Sequence, residues 1–192
     1  MSRTKKYLLT SLIPLCILIF MCIPPLITQK YGKTIELESR ITPGKDTFRG
    51  KVLYLDYKIS SIKKDKLDFT LVEKAKKFKG EQIDAYAILT QVGSFYDVSH
   101  ITMERPKSDE VYLKCQVPIY IFKSDYISSE EKIDIIYINY PLDRYFTSSK
   151  VVIESDYYKN IDKNPSPMEN YNYIVKLKIY RGSAQVVDVV KK

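Results

Sequence analysis

Residues 34–60 read TIELESRITPGKDTFRGKVLYLDYKIS, and their alternation decides the fold. Ile35, Leu37 and Ile41 fall on one face of a period-2 strand, while Glu36, Glu38 and Arg40 fall on the other. That is the pattern of a half-buried strand. Lys51–Ser60 repeats it, with Leu53, Leu55, Tyr57 and Ile59 sharing a face. The link between the two, Thr42–Gly50, carries Pro43-Gly44 at one bend and Gly50 at the other, residues that punctuate turns.

Downstream, Leu67, Leu71, Ala75 and Phe78 recur at helical spacing and predict one amphipathic helix over 63–79, ringed by lysines and ended by Gly80. Packing on a sheet is the plainer role for such a helix, and lying on an anionic membrane the alternative. Strands are predicted at Ile83–Gln91, Phe95–Glu104, Glu110–Phe122 (bent at Pro118) and Lys132–Tyr140. Lys150–Tyr158 fits a helix or a strand, and Lys163–Asn172 is a loop. Tyr173–Tyr180 and Ala184–Val190 form a hairpin turning at Arg181-Gly182-Ser183. About eight strands and one helix define an α+β, mainly antiparallel β domain without repeats or a second domain.

Upstream, Tyr7–Ile27 reads YLLTSLIPLCILIFMCIPPLI and has no charged side chain. Twenty-one helical residues reach ~31 Å, the hydrocarbon thickness of a bilayer. The chain is therefore divided into a tail, 1–6, a single transmembrane helix, 7–29, and a domain, 30–192. No small-residue cleavage site follows the apolar run and no small residues precede Cys16 or Cys22, so an uncleaved anchor is expected rather than a signal peptide or a lipoprotein. Pro14 is a tolerated mid-span kink, and Pro24-Pro25 are expected to mark the helix's outer end. Arg3, Lys5 and Lys6 keep the amino terminus cytoplasmic by the positive-inside rule, although Lys30 and Lys33 reduce the asymmetry. The domain is thus expected to lie outside the cytoplasm, in a cell membrane protein.

The net charge of +8 comes from 31 Lys+Arg against 23 Asp+Glu. It is a dispersed lysine excess, not a nucleic-acid-binding stripe. Sixteen of the 17 Tyr lie in the domain, which has no Trp; tyrosine suits half-buried strand faces. Cys115 is the domain's sole cysteine and alternates with Val111, Leu113 and Val117, the position of a buried thiol.

The order of blocks resembles the membrane-anchored GDYXXLXY proteins of bacteria. The motif falls at Gly50-Lys51-Val52-Leu53-Tyr54-Leu55-Asp56-Tyr57, where Gly50, Leu55 and Tyr57 match and Lys51 and Val52 replace the pattern's Asp and Tyr. Pro43, Asp46, Phe48, Arg49 and Gly50 resemble the lead-in. Glu104-Arg105-Pro106 with Val111-Tyr112-Leu113 resembles the central block, and Tyr140 with Arg144-Tyr145-Phe146 the late one. Thr147-Ser148-Ser149 stand where the family has Pro-Glu-Gly. The resemblance implies a single-pass protein with an extracytoplasmic accessory or binding domain of unknown biochemical role, in a complex with a polytopic membrane protein. It supplies no catalytic residues. Arg49, Gly50, Tyr57, Arg144 and Tyr145 are the candidate binding residues; Arg49 and Arg144 sit beside Phe48 and Tyr145-Phe146, which favours guanidinium stacking.

No enzyme is expected, and no cofactor or metal. The sharpest alternative is a sortase-like Cys transpeptidase, because His100, Cys115 and Arg144 occur in that order and an arginine could hold an oxyanion. Its Thr-Leu-x-Thr-Cys signature is missing. A signal-peptidase-like Ser/Lys pair lacks its serine segment after the anchor. Asp162–Ser166 has the odd-position oxygens of a calcium loop but Pro167 at its central glycine. There is no phosphate loop.

Overall fold

The computed structural model describes residues 3–107, 109–122, 135–146 and 171–192. Helix α1 (Arg3–Tyr31) leads through Gly32 into β1 (Lys33–Asp46), which turns back as β2 (Gly50–Tyr57). A 3-10 turn connects to β3 (Ser61–Lys63), and a second one to helix α2 (Phe69–Lys77). There follow β4 (Gln82–Val92), β5 (Phe95–Thr102), β6 (Tyr112–Pro118), β7 (Ile135–Tyr137), β8 (Arg144–Phe146), β9 (Tyr173–Tyr180) and β10 (Ser183–Lys191). These strands form three sheets, ordered β10-β9-β1-β2-β8, β5-β4-β6 and β3-β7, and every described strand pair is antiparallel.

One core unites them. The large sheet contributes Ile35, Leu37, Leu53, Leu55, Tyr57, Val175 and Leu177; the three-stranded sheet contributes Ala85, Ala87, Ile101, Leu113, Cys115 and Val117; Leu71 and Ala75 of α2 close it. The outer face of the large sheet is laced by cross-strand ions. Glu36 pairs with Lys176 across β1 and β9, Arg40 with Asp56 across β1 and β2, and Glu38 takes both Lys58 and Lys192 at 2.6 and 2.7 Å. The alternation of residues 34–41 is therefore fully used, apolar inward and charged outward.

Several expectations need correction. The helix is half as long as the periodicity predicts. Lys63 is taken by the β3–β7 pair, Leu67 bridges to Ile101, and the Asp68 amide donates to the Ile101 carbonyl. Tertiary pairing thus overrides helix propensity until Phe69. Gly80 does not end the helix; Phe78 does, and its ring is 46% exposed. The nine-residue link shrinks to Thr47–Arg49, because β1 runs on to Asp46, paired with Gly50. Pro43 is tolerated there because β9 has already left β1 at Ser39, so its missing amide faces no partner strand. The second strand stops at Tyr57 in a 3-10 turn, and β6 stops at Pro118. Arg144–Phe146 is an unforeseen edge strand. Pro24 and Pro25 lie inside α1, which continues to Tyr31. Lys150–Tyr158, the calcium-like stretch and most of the 163–172 loop lie outside the described residues.

Both residues at the tip of the final hairpin have positive φ, Arg181 at 48° and Gly182 at 76°, as a two-residue turn matched to strand twist requires.

The Lys192 and Lys58 ammonium groups, bonded to Glu38, hold its carboxyl below the usual range. A depressed carboxylate contributes stability that is present above its unfolded pKa and lost as pH falls through its folded one. In thermal melts of the full chain in detergent, Glu38→Gln is expected to lower Tm at pH 7 and to converge on the parent as the pH drops below about 4. A constant offset between the two across that range would contradict this.

Candidate distal-tip binding site

The β1–β2 hairpin ends about 43 Å along β1 from the end of α1, at ~3.3 Å per strand residue. Its tip is built by Asp46, whose Oδ1 accepts the amides of Phe48 (2.9 Å) and Arg49 (2.8 Å). These bonds hold the Asp46 carboxyl below its ordinary pKa. Gly50 closes the turn with φ of +84°, a left-handed conformation that costs a side-chain-bearing residue about 1 kcal/mol or more. The result is a fixed loop with Phe48 at its apex, 97% exposed.

Strand β8 brings the second arginine alongside. The pairings Val52↔Phe146 and Tyr54↔Arg144 put both guanidinium platforms in adjacent rows. Arg49 lies 5.1 Å over the Phe146 ring and Arg144 lies 5.9 Å over the Tyr54 ring. Stacking occurs, as expected, but on partners across the sheet rather than on sequence neighbours. Tyr54 also covers Gly44, where any Cβ would meet its ring at 2.5 Å. Asp143 gives Arg144 one ion pair at 3.5 Å, with both side chains more than half exposed.

Of the five candidate residues, Arg49, Gly50 and Arg144 meet at this tip. Tyr145, paired with Leu53, is half-buried and packs against the core. Tyr57 is buried at 2% exposure, and its hydroxyl donates to the Leu142 carbonyl at 2.9 Å while its ring meets Tyr140 edge-on. Burial drives its pKa up, so it stays a neutral donor. Tyr57 therefore pins the segment that delivers β8, and acts on the tip through Arg144.

Lys45 and Lys51 face each other across the same hairpin end, a like-charge pairing that local structure does not favour. Sequence reasoning missed Phe48 as an exposed apex, and missed Tyr54 and Phe146 as platforms, because the β2–β8 register is non-local.

The Gly50–Tyr57 strand, its lead-in and the Arg144–Phe146 strand thus form one unit. A family profile described as GDYXXLXY protein matches residues 14–189. The chain belongs to the GDYXXLXY family. No curated protein and no solved structure matches it. Within this GDYXXLXY domain, Leu55 and Tyr57 of the motif are core residues and Gly50 is its turn.

The sortase-like constellation does not assemble. Cys115 pairs with Ala85 and points into the core, whereas His100 pairs with Ile88 on the opposite face of β4, exposed. Burial pushes the Cys115 thiol up to about 12, far from a nucleophilic thiolate. His100 instead lines a shallow cavity of about 390 Å³ with Lys33, Tyr96, Asp109 and Glu110. Among the described residues no group of three His, Cys, Asp or Glu is placed to hold a metal.

Two outcomes are expected. Gly50→Ala should destabilise the domain by about 1 kcal/mol, because only the backbone objects and open space surrounds the new methyl. Gly182→Ala should cost about twice that or more, since its Cβ would also meet the buried Tyr112 ring at 2.4 Å. Equal melting shifts would refute the distinction. In a Cys16→Ser/Cys22→Ser background, maleimide at pH 8 should leave Cys115 unmodified until denaturant is added; rapid native labelling would show an open thiol.

Proposed function

We propose that the protein is a non-enzymatic, single-pass membrane-anchored binding protein. Its domain stands outside the cytoplasm and offers the β1–β2 tip to another envelope component, within a complex that includes a polytopic membrane protein. Helix α1 carries a stretch, Thr10–Tyr31, long and apolar enough to cross a bilayer. Arg3, Lys5 and Lys6 precede it and orient it by the positive-inside rule.

The observation that carries the binding role is the tip itself. An almost fully exposed Phe48 stands at the apex of a turn whose strand ends carry Lys45 and Lys51, next to Arg49 in sequence, and Arg144 lies on the adjoining edge strand. An exposed aromatic on a rigid turn loses little entropy on docking, and aromatic and arginine side chains are the residues that concentrate binding energy. The complementary partner surface has an apolar pocket rimmed by carboxylates. Lys45 opposite Lys51 costs stability in the free domain and is relieved when an acidic surface arrives.

A photo-crosslinking residue at position 48 in intact membranes should capture a discrete partner band, and Arg49→Ala/Arg144→Ala should reduce capture at least about tenfold, the loss of one or two charge-assisted contacts. Capture equal to that from a residue placed at Lys77 would sink the tip assignment. A reporter fused after Lys192 should be active only outside the cytoplasm; cytoplasmic activity would overturn the orientation.

A further inference from the structure

At the opposite end of β1, α1 is joined to the domain without a stalk. Gly32 alone separates helix from strand, and its amide closes on the Thr28 carbonyl at 2.9 Å. A Cβ there would lie 2.3 Å from that carbonyl and 3.2 Å from the Ile179 amide nitrogen, so only glycine permits the approach. Lys178 reaches across from β9 and donates to the Gln29 carbonyl at 2.6 Å. It satisfies one of the orphan carbonyls at the helix end and places a cation at the negative end of the helix dipole. Thr28 is wholly buried in this joint. The domain's base is thus held at the level where the apolar helix ends.

Four side chains surround that level. Tyr31, 63% exposed, meets Tyr180 with ring centroids 6.4 Å apart. Lys30 lies 5.3 Å from the Tyr31 ring centroid and Arg181 lies 5.5 Å from that of Tyr180. Neither cation has an ion pair among the described residues. Arg181 occupies a turn position at φ 48° where Asn or Gly is the ordinary choice, so local structure does not account for it. Tyrosines at the headgroup level with cations beside them are how proteins grip a bilayer surface.

We propose that Lys30, Tyr31, Tyr180 and Arg181 form a collar that binds anionic phospholipid headgroups of the leaflet from which the domain emerges, and so fixes the orientation of the domain on the membrane. This rests on the membrane-anchored reading of α1. Lys33 is not part of it, since it turns to the Tyr96 ring at 5.5 Å.

The protein has no Trp, so Tyr31→Trp supplies a single fluorescent reporter, with Tyr180→Trp as a second should the first disturb the joint. The full chain is placed in nanodiscs of mixed phosphatidylglycerol and phosphatidylcholine, with one or the other lipid brominated. Stronger quenching by the brominated anionic lipid is expected, with local enrichment of about fivefold per free cation. Lys30→Gln with Arg181→Asn, which keeps a residue tolerant of the left-handed turn, should abolish the preference. Equal quenching by both lipids, a preference that survives the double variant, or a reporter that neither lipid reaches would each overturn the collar. Failure of the chain to co-purify with the discs would instead overturn the anchor, which makes the two readings separable.

Discussion

Strand β1 has to satisfy two partners in succession, and the rest of the structure follows from how it does so. Its first half, Lys33–Ser39, is paired with β9, and its second half, Ser39–Asp46, with β2. Ser39 is the hand-over point, paired with both Tyr173 and Tyr57, and is wholly buried. A buried hydroxyl needs a partner, and this one bonds to the Asp56 and Arg40 carbonyls at 3.1 and 2.9 Å. A single strand thereby carries the joint to α1 at one end and the exposed tip at the other. Because a strand is stiff and α1 enters it through one glycine, the height and facing of the tip are set by the angle of the helix. A flexible stalk would have lost that relation.

The long-range pins are made by tyrosines. Tyr57 donates to Leu142 and Tyr140 donates to Ile59, at 2.9 and 3.2 Å, and their rings meet edge-on. Each ring fills core volume while its hydroxyl satisfies a carbonyl of the other's segment. Phenylalanine would fill the same space and leave a carbonyl unpaired, at a cost of about 1–3 kcal/mol. These two of the domain's tyrosines are therefore structural pins. The same role explains the motif: Leu55 packs, Tyr57 pins, and Gly50 turns, while Lys51 and Val52, which depart from the family pattern, lie between the turn and the core.

What the sequence revealed was set by range. The alternation of residues 34–41, the Val111–Val117 face with its buried thiol and the Arg181-Gly182 turn are local patterns, and all three stand in the structure. Two of the failures share one cause, pairing between distant segments. Lys63 and Leu67 fall in the predicted helix but are claimed by Ile135 and Ile101; Arg144–Phe146 becomes a strand only because β2 offers it an edge. At the tip, the arginines and the glycine were legible as residues. Their platforms were not, because nothing near Arg49 or Arg144 in sequence specifies that Phe146 faces Val52 or that Arg144 faces Tyr54.

The basic residues just beyond the apolar helix, which weaken the charge asymmetry in the sequence, acquire separate reasons in the structure. Lys33 is engaged with Tyr96 at the cavity mouth, while Lys30 stays beside Tyr31 at the helix end. Neither is a dispersed solubilising charge. Lys178, on a strand distant in sequence, completes the arrangement by capping the helix at Gln29. Opposed demands meet in these few residues. The last carbonyls of the helix need donors, and a joint without a stalk leaves little room for further basic residues next to it in sequence. Supplying the cation from β9 gives a helix-end carbonyl its donor without adding another basic residue beside the helix in sequence.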